Sequence, residues 1–391
     1  MRILICHNYY QQRGGECEAV DRDISLLREA GHDVNTFTRH NDDLKGASGV
    51  VKGLLKSGYS TSERDRLSDV LDGEKPEVAH VHNVFPLLTS SVYDVLAAND
   101  VPIVQTIHNF RLSCLNGLFH RDGLVCRDCI QHESGWPGVI HRCHPKGLQG
   151  SVAFWWCRRG LIRESVLEKV TTFVVTNSFA GEWLQEIGVD HVRIAERPNF
   201  SPRPSPSPVP PSHDKYIVYM GRLSPEKGLK TLLAAAELLC ESPVRIKIAG
   251  GGPMEDEVRR RLQNASLSNV ELLGHVSGRD KEELLAGALT VLVPSECFEH
   301  FPLVVSESFS HGVPVVASNI GGLSRIVRND HTGLLVPPGD PEGLAGAIQS
   351  LLDDPDSRTR LGRSARREYE NSMTPSASLT RLEGIYQRAM A

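Results

Sequence analysis

The chain has 391 residues, of which 40% are hydrophobic and 23% charged, and its formal net charge is -5. This composition is typical of soluble globular proteins, and the negative charge with scattered basic residues argues against a nucleic-acid partner. No stretch approaches the ~20 apolar residues of a membrane-spanning helix, and the first apolar run ends at His7, too early for a signal peptide. We therefore expect a cytoplasmic protein, and the length predicts two domains.

Short apolar runs that end in polar residues recur through the first half of the chain. A helix with Val20, Ile24 and Leu27 at helical spacing, ended by Gly31, follows the first of these runs. Strands that alternate with helices predict a parallel sheet, buried on both faces and joined by crossover helices. The predicted strands are Arg2–His7, Asp33–Phe37, Glu77–His82, Pro102–His108 and Thr172–Asn177.

A proline-rich segment, SPRPSPSPVPPS at residues 201–212, separates the two halves. Proline at this density prevents helix formation and sheet pairing, which predicts a linker. The alternation then restarts, with a helix at Lys227–Leu239. The predicted strands of this half are Tyr216–Met220, Arg245–Ala249, Val270–Leu273, Thr290–Val293 and Val313–Ala317.

These patterns predict an α/β fold of two Rossmann-like doubly wound domains that face each other across a cleft. The first domain spans residues 1–200 and the second spans residues 213–365. A polar helix at residues 366–391 is expected to cross back to the first domain. Ligands of such sheets bind outside the carboxyl ends of the strands, so site residues are expected there.

The segment PSECFEHFPLVVSE, Pro294–Glu307, follows a predicted strand and leads into a helix. Pro302 suits the first helical turn, where the free backbone N–H groups of Phe301, Leu303 and Val304 form a site for a diphosphate. Glu299 and Glu307 flank that turn, so that one carboxylate can hold sugar hydroxyls and the other a ribose. Spacing alone favours a solvated glutamate pair, whereas the strand, turn and helix context favours the site.

The segment GRLSPEKG directly follows the strand Tyr216–Met220. Arg222 and Lys227 bracket its tight turn, where two cations suit the charge of a departing nucleoside diphosphate. The alternative is a surface basic pair. In the first half, the loop Arg13–Glu16 contains Gly14 and Gly15, which permit close approach of the backbone to a ligand, although a plain turn is an equal alternative.

Histidines end two of the predicted strands of the first half. His108, followed by Asn109, could bind sugar hydroxyls or steady charge at the anomeric carbon, although a lone histidine is more often structural. His80 and His82 are expected to face opposite sides of their strand, so that a shared metal site is not expected. Asp21 and Asp23 form an Asp-x-Asp within a helix and are interpreted as solvated charges.

A cysteine cluster and an aromatic patch follow His108. Cys114, Cys126, Cys129 and Cys143 contain a C-x2-C pair, which predicts either a structural zinc site or reduced cysteines packed in a loop. The patch comprises Phe154, Trp155, Trp156, Arg158 and Arg159. It suits a membrane interface that holds a lipid-linked acceptor, and core packing of the two tryptophans is the alternative.

Seven segments occur in one order along the chain: RGGE, TIHN, GRLSPEKG, AGGGPM, LLGHVS, a Glu-x7-Glu segment and TGLLVPPGD. In these the chain resembles glycosyltransferase family 4, retaining enzymes with the GT-B fold, over nearly its whole length. HNYYQQRGGE and QTIHNFRLSCLNGLFHRDGLVCRDC further resemble a subgroup from bacterial cell-surface polysaccharide assembly. In this chain His300, Phe301 and Pro302 replace the family's common Gly-Phe-Gly, so that a phosphate bond at Pro302 must shift to Leu303 or Val304.

The resemblance implies a role for each candidate residue. Arg222 and Lys227 would contact the donor diphosphate, Glu299 and the backbone around Phe301 the sugar, and Glu307 the ribose. His108 would lie beside the reacting sugar. It also implies Gly15 near the phosphates, and His275 and Val276 near the base.

The implied activity is that of a hexosyltransferase that moves a sugar, with retention, from a UDP-, GDP- or dTDP-sugar to a hydroxyl of a glycan, glycolipid or lipid-linked acceptor. No catalytic metal is expected, and peripheral contact with the inner face of the membrane would bring the enzyme to a lipid-linked acceptor. A nucleotide-sugar epimerase on the same architecture is the alternative. A dinucleotide oxidoreductase is disfavoured because no G-x-G-x-x-G follows either first strand.

Overall fold

The computed structural model describes residues 1–11, 14–44, 58–132, 134–204, 216–263 and 267–391, with the side chain of Leu44 left out. The chain divides into two compact units. The N-terminal unit comprises Met1–Phe119, Cys126–Pro198 and Ser378–Ala391, and the C-terminal unit comprises His120–Val125 and Asn199–Ala377. Arg13 and residues 205–212 of the expected linker lie outside the described residues.

The N-terminal unit is built on a parallel six-stranded sheet in the order β2-β1-β3-β4-β7-β8. The four inner strands are largely buried because helices cover both faces of the sheet, whereas the edge strands β2 and β8 are partly exposed. The order reverses between β1 and β3, which makes the carboxyl end of that pair a place where ligands bind in such folds. The strands are β1 Arg2–Tyr9, β2 Asp33–His40, β3 Val78–Val81, β4 Ile103–Thr106, β7 Thr172–Val175 and β8 Ile194–Glu196.

Helices of very different lengths connect these strands. Tyr386, from the last helix of the chain, is fully buried and packs in one cluster with Ile5, Val20 and Val104. The segment His120–Val125, which belongs to the C-terminal unit, forms a hairpin of the strands β5 His120–Arg121 and β6 Leu124–Val125. The helices are Gly15–Glu29, Thr61–Gly73, Ser91–Ala98, Asp128–Gln131, Trp136–Ile140, Gly147–Arg163, Val166–Lys169, Ser178–Glu186 and Pro375–Met390, with 3-10 turns at Asn41–Leu44 and His191–Arg193.

The C-terminal unit holds a second parallel six-stranded sheet, in the order β11-β10-β9-β12-β13-β14. Alternate residues of its central strand enter different cores: Ile217 and Tyr219 pack in one cluster, Tyr216 and Val218 in another. The strand order reverses between β9 and β12. The strands are β9 Tyr216–Met220, β10 Arg245–Ala249, β11 Val270–Gly274, β12 Ala288–Val293, β13 Val315–Ser318 and β14 Gly333–Val336.

The helices of this unit alternate with its strands. They are Leu229–Leu238, Glu255–Gln263, Gly278–Ala286, Leu303–Ser310, Leu323–Ile326, Pro341–Asp353 and Pro355–Glu368, with a 3-10 turn at Pro225–Lys227 and a π-helical segment at Tyr369–Met373. The prediction of two doubly wound α/β domains is therefore confirmed. No helix within the described ranges is long and apolar enough to cross a membrane.

Candidate functional site

The strongest sequence candidates lie at the carboxyl edge of the C-terminal sheet, where the strand order reverses between β9 and β12. Val218 pairs with Val291 and Tyr219 with Leu292, so the loops that leave these neighbouring strands emerge side by side. The GRLSPEKG segment leaves β9 and the segment with Glu299 leaves β12. The sheet topology therefore explains why these two loops lie side by side.

Gly228 sets how closely the two loops approach. Its φ is +71°, and a Cβ placed there would lie 1.9 Å from the carbonyl oxygen of Pro294, so both conformation and space require glycine. Two hydrogen bonds join the same loops: Glu296 N donates to the carbonyl oxygen of Glu226 over 2.9 Å, and Thr231 Oγ1 donates to Glu296 Oε1 over 2.6 Å. These contacts hold Lys227 close to the turn after β12.

Lys227 and Glu299 form a hydrogen-bonded ion pair at this junction. Their side chains keep 25% and 12% of their exposure, and Ser295 Oγ donates a further bond to Glu299 Oε1 over 2.6 Å. Burial alone would lower the pKa of Lys227, but the charge of Glu299 opposes it, so the pKa is raised and the ammonium stays charged. The structure thus brings together one of the two predicted cations and one of the two predicted acids.

The helix that follows Glu299 begins one residue later than the sequence predicts. Pro302 is the N-cap, with φ −62° and ψ 123°, and the helix runs from Leu303 to Ser310. The N–H groups of Leu303 and Val304 make no hydrogen bond within the described chain, because the first turn of a helix lacks internal acceptors. These donors are suited to an anion.

Glu307 lies on this helix with its side chain 9% exposed, and its Oε1 accepts a hydrogen bond from Lys281 Nζ over 2.9 Å. Sequence reasoning missed Lys281, which lies in the polar helix Gly278–Ala286. No motif marks this lysine, because a cation in a solvated helix is the ordinary case. The site therefore contains a second acid and cation pair rather than an isolated carboxylate.

Three predicted donor contacts are not gathered around these pairs. The Arg222 side chain is exposed and makes no hydrogen bond or ion pair with any described residue, although its carbonyl oxygen accepts a 2.8 Å bond from Tyr219. His275 is exposed just after the edge strand β11, and Val276 packs against the core beneath. Among the described residues of this unit, no hydrogen bond or ion pair holds the side chain of Arg222 or of His275.

An open groove of about 1040 Å³ lies at the opposite, amino-terminal edge of the same sheet. Arginines of the helix Pro355–Glu368 line it, but two of them donate hydrogen bonds to backbone carbonyl oxygens. Arg358 Nη1 donates to the carbonyl oxygen of Leu351 over 2.6 Å, and Arg366 donates to that of Ser310. These arginines satisfy carbonyls at helix ends, so the groove is better explained as structure than as chemistry.

In the N-terminal unit, Gly15 is the first residue of the helix Gly15–Glu29, after Gly14 as N-cap. Glu16 Oε2 accepts 3.0 Å hydrogen bonds from Tyr10 Oη and from Asn109 Nδ2, whereas its Oε1 is buried and has no hydrogen-bond partner in the described part of the chain. Arg111 donates to Tyr10 Oη and lies over its ring. Asn109 is thus tied to the glycine loop.

Two interpretations of the first half are wrong. Asp23 is not solvated: it is buried in an ion pair with Arg197, whose Nη1 donates to Asp23 Oδ2 over 3.0 Å, and Asp21 accepts from Tyr9 Oη over 2.7 Å. His80 and His82 do not face opposite sides, because residues two apart on a strand share a face. Their rings lie 4.1 Å apart between centroids.

Asp23, His80 and His82 bring ligand atoms within 4.8 Å of one another, as a metal site would require. Hydrogen bonds already satisfy His80, because Nδ1 bonds Tyr386 Oη and Nε2 bonds Thr106 Oγ1, each over 2.7 Å. Burial lowers the pKa of His80 to about 3 and that of His82 well below its ordinary value. With the carboxylate of Asp23 bound by arginine, we interpret this cluster as a packed polar network.

His108 lies two residues beyond β4 rather than within it, and it is partly exposed. Its Nε2 is 2.9 Å from Nδ1 of His82. Burial lowers the pKa of His108, against the nearby charges of Glu16 and Asp23, so the ring is neutral at neutral pH. Sequence reasoning found this histidine but missed its partner.

The cysteine cluster lies in the same unit, with Cys114 and Cys129 buried and Cys126 and Cys143 partly exposed. Burial raises the pKa of Cys114, against hydrogen bonds from the backbone of residues 116–119. Burial and then the charge of nearby Cys114 raise the pKa of Cys129. Cys129 lies close enough to Cys114 and Cys126 for their charges to raise its pKa, and the zinc site stays a prediction.

The aromatic patch is divided between interior and surface. Arg158 is buried, and its Nε donates to the carbonyl oxygen of Leu112 over 2.8 Å. Phe154 stacks on Phe85, whereas Trp156 is 49% exposed. The alternative that both tryptophans pack in the core therefore does not hold for Trp156.

Family models match both halves of the chain. "Glycosyl transferase 4-like domain" matches residues 14–199, and "Glycosyl transferases group 1" matches residues 203–368. The chain belongs to glycosyltransferase family 4. It is a glycosyltransferase of the GT-B type and of the hexosyltransferase class.

Relatives of this glycosyltransferase match along most of its length. Glycogen synthase of Mycobacterium tuberculosis is 28% identical, over 92% of this chain and 79% of the relative. Phosphatidyl-myo-inositol mannosyltransferase of Mycolicibacterium smegmatis is 26% identical, over 94% of this chain and 88% of the relative.

Solved structures share the fold of this glycosyltransferase. A glycosyltransferase from Rickettsia africae has a TM-score of 0.72 at 15% identity, covering 100% of this chain and 99% of that one. The Anabaena protein HepE, in complex with UDP and glucose, has a TM-score of 0.68 at 15% identity, covering 99% of this chain and all of that one.

Proposed function

We propose that this glycosyltransferase moves a hexose from a nucleoside-diphosphate sugar to a hydroxyl of a glycan, glycolipid or lipid-linked acceptor, with retention and without a catalytic metal. The observation that carries the proposal is the Lys227–Glu299 ion pair beside the free N–H groups of Leu303 and Val304. A cation and two backbone donors at one strand edge suit a diphosphate. The adjacent carboxylate suits sugar hydroxyls.

The remaining roles follow from the family resemblance. Arg222, exposed and without a partner among the described side chains, would fold onto the diphosphate when donor binds. Glu307 would accept a hydrogen bond from a ribose hydroxyl, with Lys281 holding the carboxylate in place. His275 and Val276 would contact the base. In the N-terminal unit, Gly15 would serve the phosphates and His108 the transferred sugar.

The proposed step needs no protein nucleophile. The bond between the anomeric carbon and the diphosphate oxygen breaks while the acceptor oxygen attacks from the same face. A diphosphate oxygen takes the proton of the acceptor hydroxyl. Lys227 then opposes the negative charge that develops on the leaving group, in a site already shielded from water.

The comparisons support a nucleotide-sugar donor without identifying it. HepE was solved with UDP and glucose, and the mycobacterial relatives are named for glycogen and for mannosyl transfer to phosphatidyl-myo-inositol. The sequence resemblance to the polysaccharide-assembly subgroup makes a glycan or lipid-linked acceptor our choice. Such an acceptor places the enzyme in the cytoplasm at the inner face of the membrane, where Trp156 and Arg159, both exposed, would contact lipid.

A thermal-shift panel of UDP-, GDP- and dTDP-sugars tests the donor. A matched donor at about a hundred times its dissociation constant stabilises the protein by about 2.7 kcal/mol. Transfer to acceptor, with the product anomer assigned by NMR in the presence of EDTA, then tests retention and metal independence. Inversion, or loss of transfer in EDTA, would contradict the proposed mechanism, and a new nucleotide sugar formed from donor alone would favour the epimerase.

Membrane contact has its own test. Liposome flotation with anionic vesicles should recover the wild-type chain with lipid and lose it for Trp156→Ala. Leu238→Ala, which removes a 57% exposed apolar side chain in the C-terminal unit, is the control. Equal flotation of wild type and Trp156→Ala would remove this contact from the proposal.

A further inference from the structure

The two histidines at the ends of β3 and β4 form a direct pair within the N-terminal unit. The strands are parallel neighbours, with Val81 opposite Gln105, so the residues that follow them emerge together. His82 Nδ1 and His108 Nε2 are 2.9 Å apart, and the ring planes differ by only 21°. Nearly coplanar rings at this distance fit an N–H···N hydrogen bond in which one ring donates and the other accepts.

The surroundings of His82 decide which ring donates. His82 is 4% exposed, and its Nε2 is buried without a hydrogen-bond partner among the residues that the structure describes. If Nδ1 accepted from His108, the single proton of neutral His82 would sit on Nε2, which would leave a buried N–H donor unpaired. Proteins avoid buried unpaired N–H groups more strictly than buried unpaired acceptors. The proton of His82 therefore belongs on Nδ1, which donates to His108.

The tautomer of His108 follows from this. Its Nε2 accepts the proton of His82, so in the neutral ring the single proton sits on Nδ1. We propose that His82 is a positioning residue that holds His108 as the Nδ1–H tautomer, so that His108 offers an N–H donor to an oxygen of the transferred sugar. The sugar contact rests on the proposed function, whereas the tautomer does not.

The neighbourhood of His82 keeps this arrangement rigid. His82 packs against His80, with 4.1 Å between ring centroids, and both ring nitrogens of His80 are hydrogen-bonded, to Tyr386 and to Thr106. Burial lowers the pKa values of His80, His82 and His108, so each ring carries a single proton at neutral pH. The ring of His82 thus has a fixed orientation and a single N–H group to donate.

NMR of the wild-type chain labelled with ¹⁵N-histidine tests the tautomer without any substitution. We expect the His108 resonances, assigned by their loss in His108→Asn, to show a protonated Nδ1 and an unprotonated Nε2. A protonated Nε2 on His108 would overturn the proposal. This readout stands even if no donor sugar is turned over, so its failure is distinct from failure of the proposed function.

Paired substitutions test the consequence for transfer. Asparagine places an amide N–H where His82 has Nδ1, whereas leucine cannot donate. We expect His82→Leu to convert His108 toward the Nε2–H form and to lower kcat by about 10- to 100-fold. This decrease is no larger than the decrease caused by removing a hydrogen-bond donor that contacts the substrate directly. The dissociation constant of the nucleoside diphosphate should stay unchanged, and His82→Asn should restore most of kcat.

A double-substitution cycle completes the test. In His108→Asn the outward donor no longer depends on His82, so adding His82→Leu should cost little further activity. Equal losses in His82→Leu and His82→Asn, or additive losses in the double variant, would show that His82 acts only through packing. If His82→Leu does not fold, His82→Asn and His82→Gln decide, because glutamine places its amide at the Nε2 position and should not rescue.

Discussion

Replacing Lys227 with methionine removes the cation that pairs with Glu299 while keeping most of the side-chain volume. The pair is shielded, with 25% and 12% of the two side chains exposed, so its loss is not comparable to the loss of a surface salt bridge. Among the described residues, Glu299 would then keep the hydrogen bond from the hydroxyl of Ser295. We expect about 1 to 3 kcal/mol of destabilisation, since a buried acceptor loses its charged donor.

The effect on catalysis should be larger than the effect on stability. Removing one preorganised donor that stabilises developing charge lowers kcat by about 10²- to 10³-fold, equivalent to about 2.7 to 4 kcal/mol. Initial rates with the matched donor and acceptor, alongside urea unfolding, measure both quantities. Lys230→Met is the matched control, because Lys230 is exposed on the next helix. A Lys227→Met rate within about threefold of wild type, less than 1 kcal/mol, would refute the reasoning.

Four other predictions concern separate parts of the molecule. Glu307→Gln should weaken binding of the matched nucleoside diphosphate about tenfold in titration calorimetry and weaken binding of its analogue without ribose hydroxyls far less, since a hydrogen bond to a carboxylate is worth about 1.5 to 3 kcal/mol. Arg197→Met should lower the unfolding free energy by about 3 to 5 kcal/mol, because it leaves Asp23 buried and unpaired. The unfolding free energy should fall as the pH drops from about 6.5 to about 4. The pKa of His80 is about 3 in the folded chain, so unfolding takes up a proton in this pH range, and the unfolding free energy changes by up to about 1.4 kcal/mol per pH unit. Elemental analysis should find about one zinc per chain, lost in Cys129→Ser.

Each of these has a clear contrary result. If Glu307→Gln weakens the binding of both nucleotides equally, Glu307 does not contact the ribose. Arg163→Ala, which removes an 86% exposed arginine, should change stability by less than about 1 kcal/mol, and an Arg197→Met value in that range would contradict the buried pair. A pH profile that is flat in wild type, or unchanged by His80→Gln, would contradict the neutral histidine cluster. Purified protein without zinc would leave the cysteines as packed thiols.

The fold could be predicted because each strand of a buried parallel sheet is a short apolar run. Tyr216–Met220 and Arg245–Ala249 have the predicted bounds, and a glycine directly follows each run. The strand that ends before His108 is shorter than predicted, because its last apolar residue, Ile107, belongs to the loop. An apolar run thus predicts which segment is buried more reliably than it predicts the last residue that pairs in the sheet.

The site was predictable where a motif lies next to a strand end and obscure where a contact joins distant segments. Lys227 and Glu299 follow adjacent strands, so topology brings them together. Asp23 and Arg197 are 174 residues apart and carry no mutual signal, and the pairing of Lys281 with Glu307 depends on a helix whose exposed pattern looks ordinary. The prediction for His80 and His82 is wrong because side chains alternate along a strand, so residues two apart lie on one face.

The diphosphate position is the central claim, and a crystal structure of the chain with a nucleoside diphosphate or its sugar measures it directly. We expect phosphate oxygens within hydrogen-bond distance of Lys227 Nζ and of the N–H groups of Leu303 and Val304, with Glu299 turned to the sugar. A diphosphate bound elsewhere, with the Lys227–Glu299 pair intact and the helix N-terminus facing water, would contradict the account.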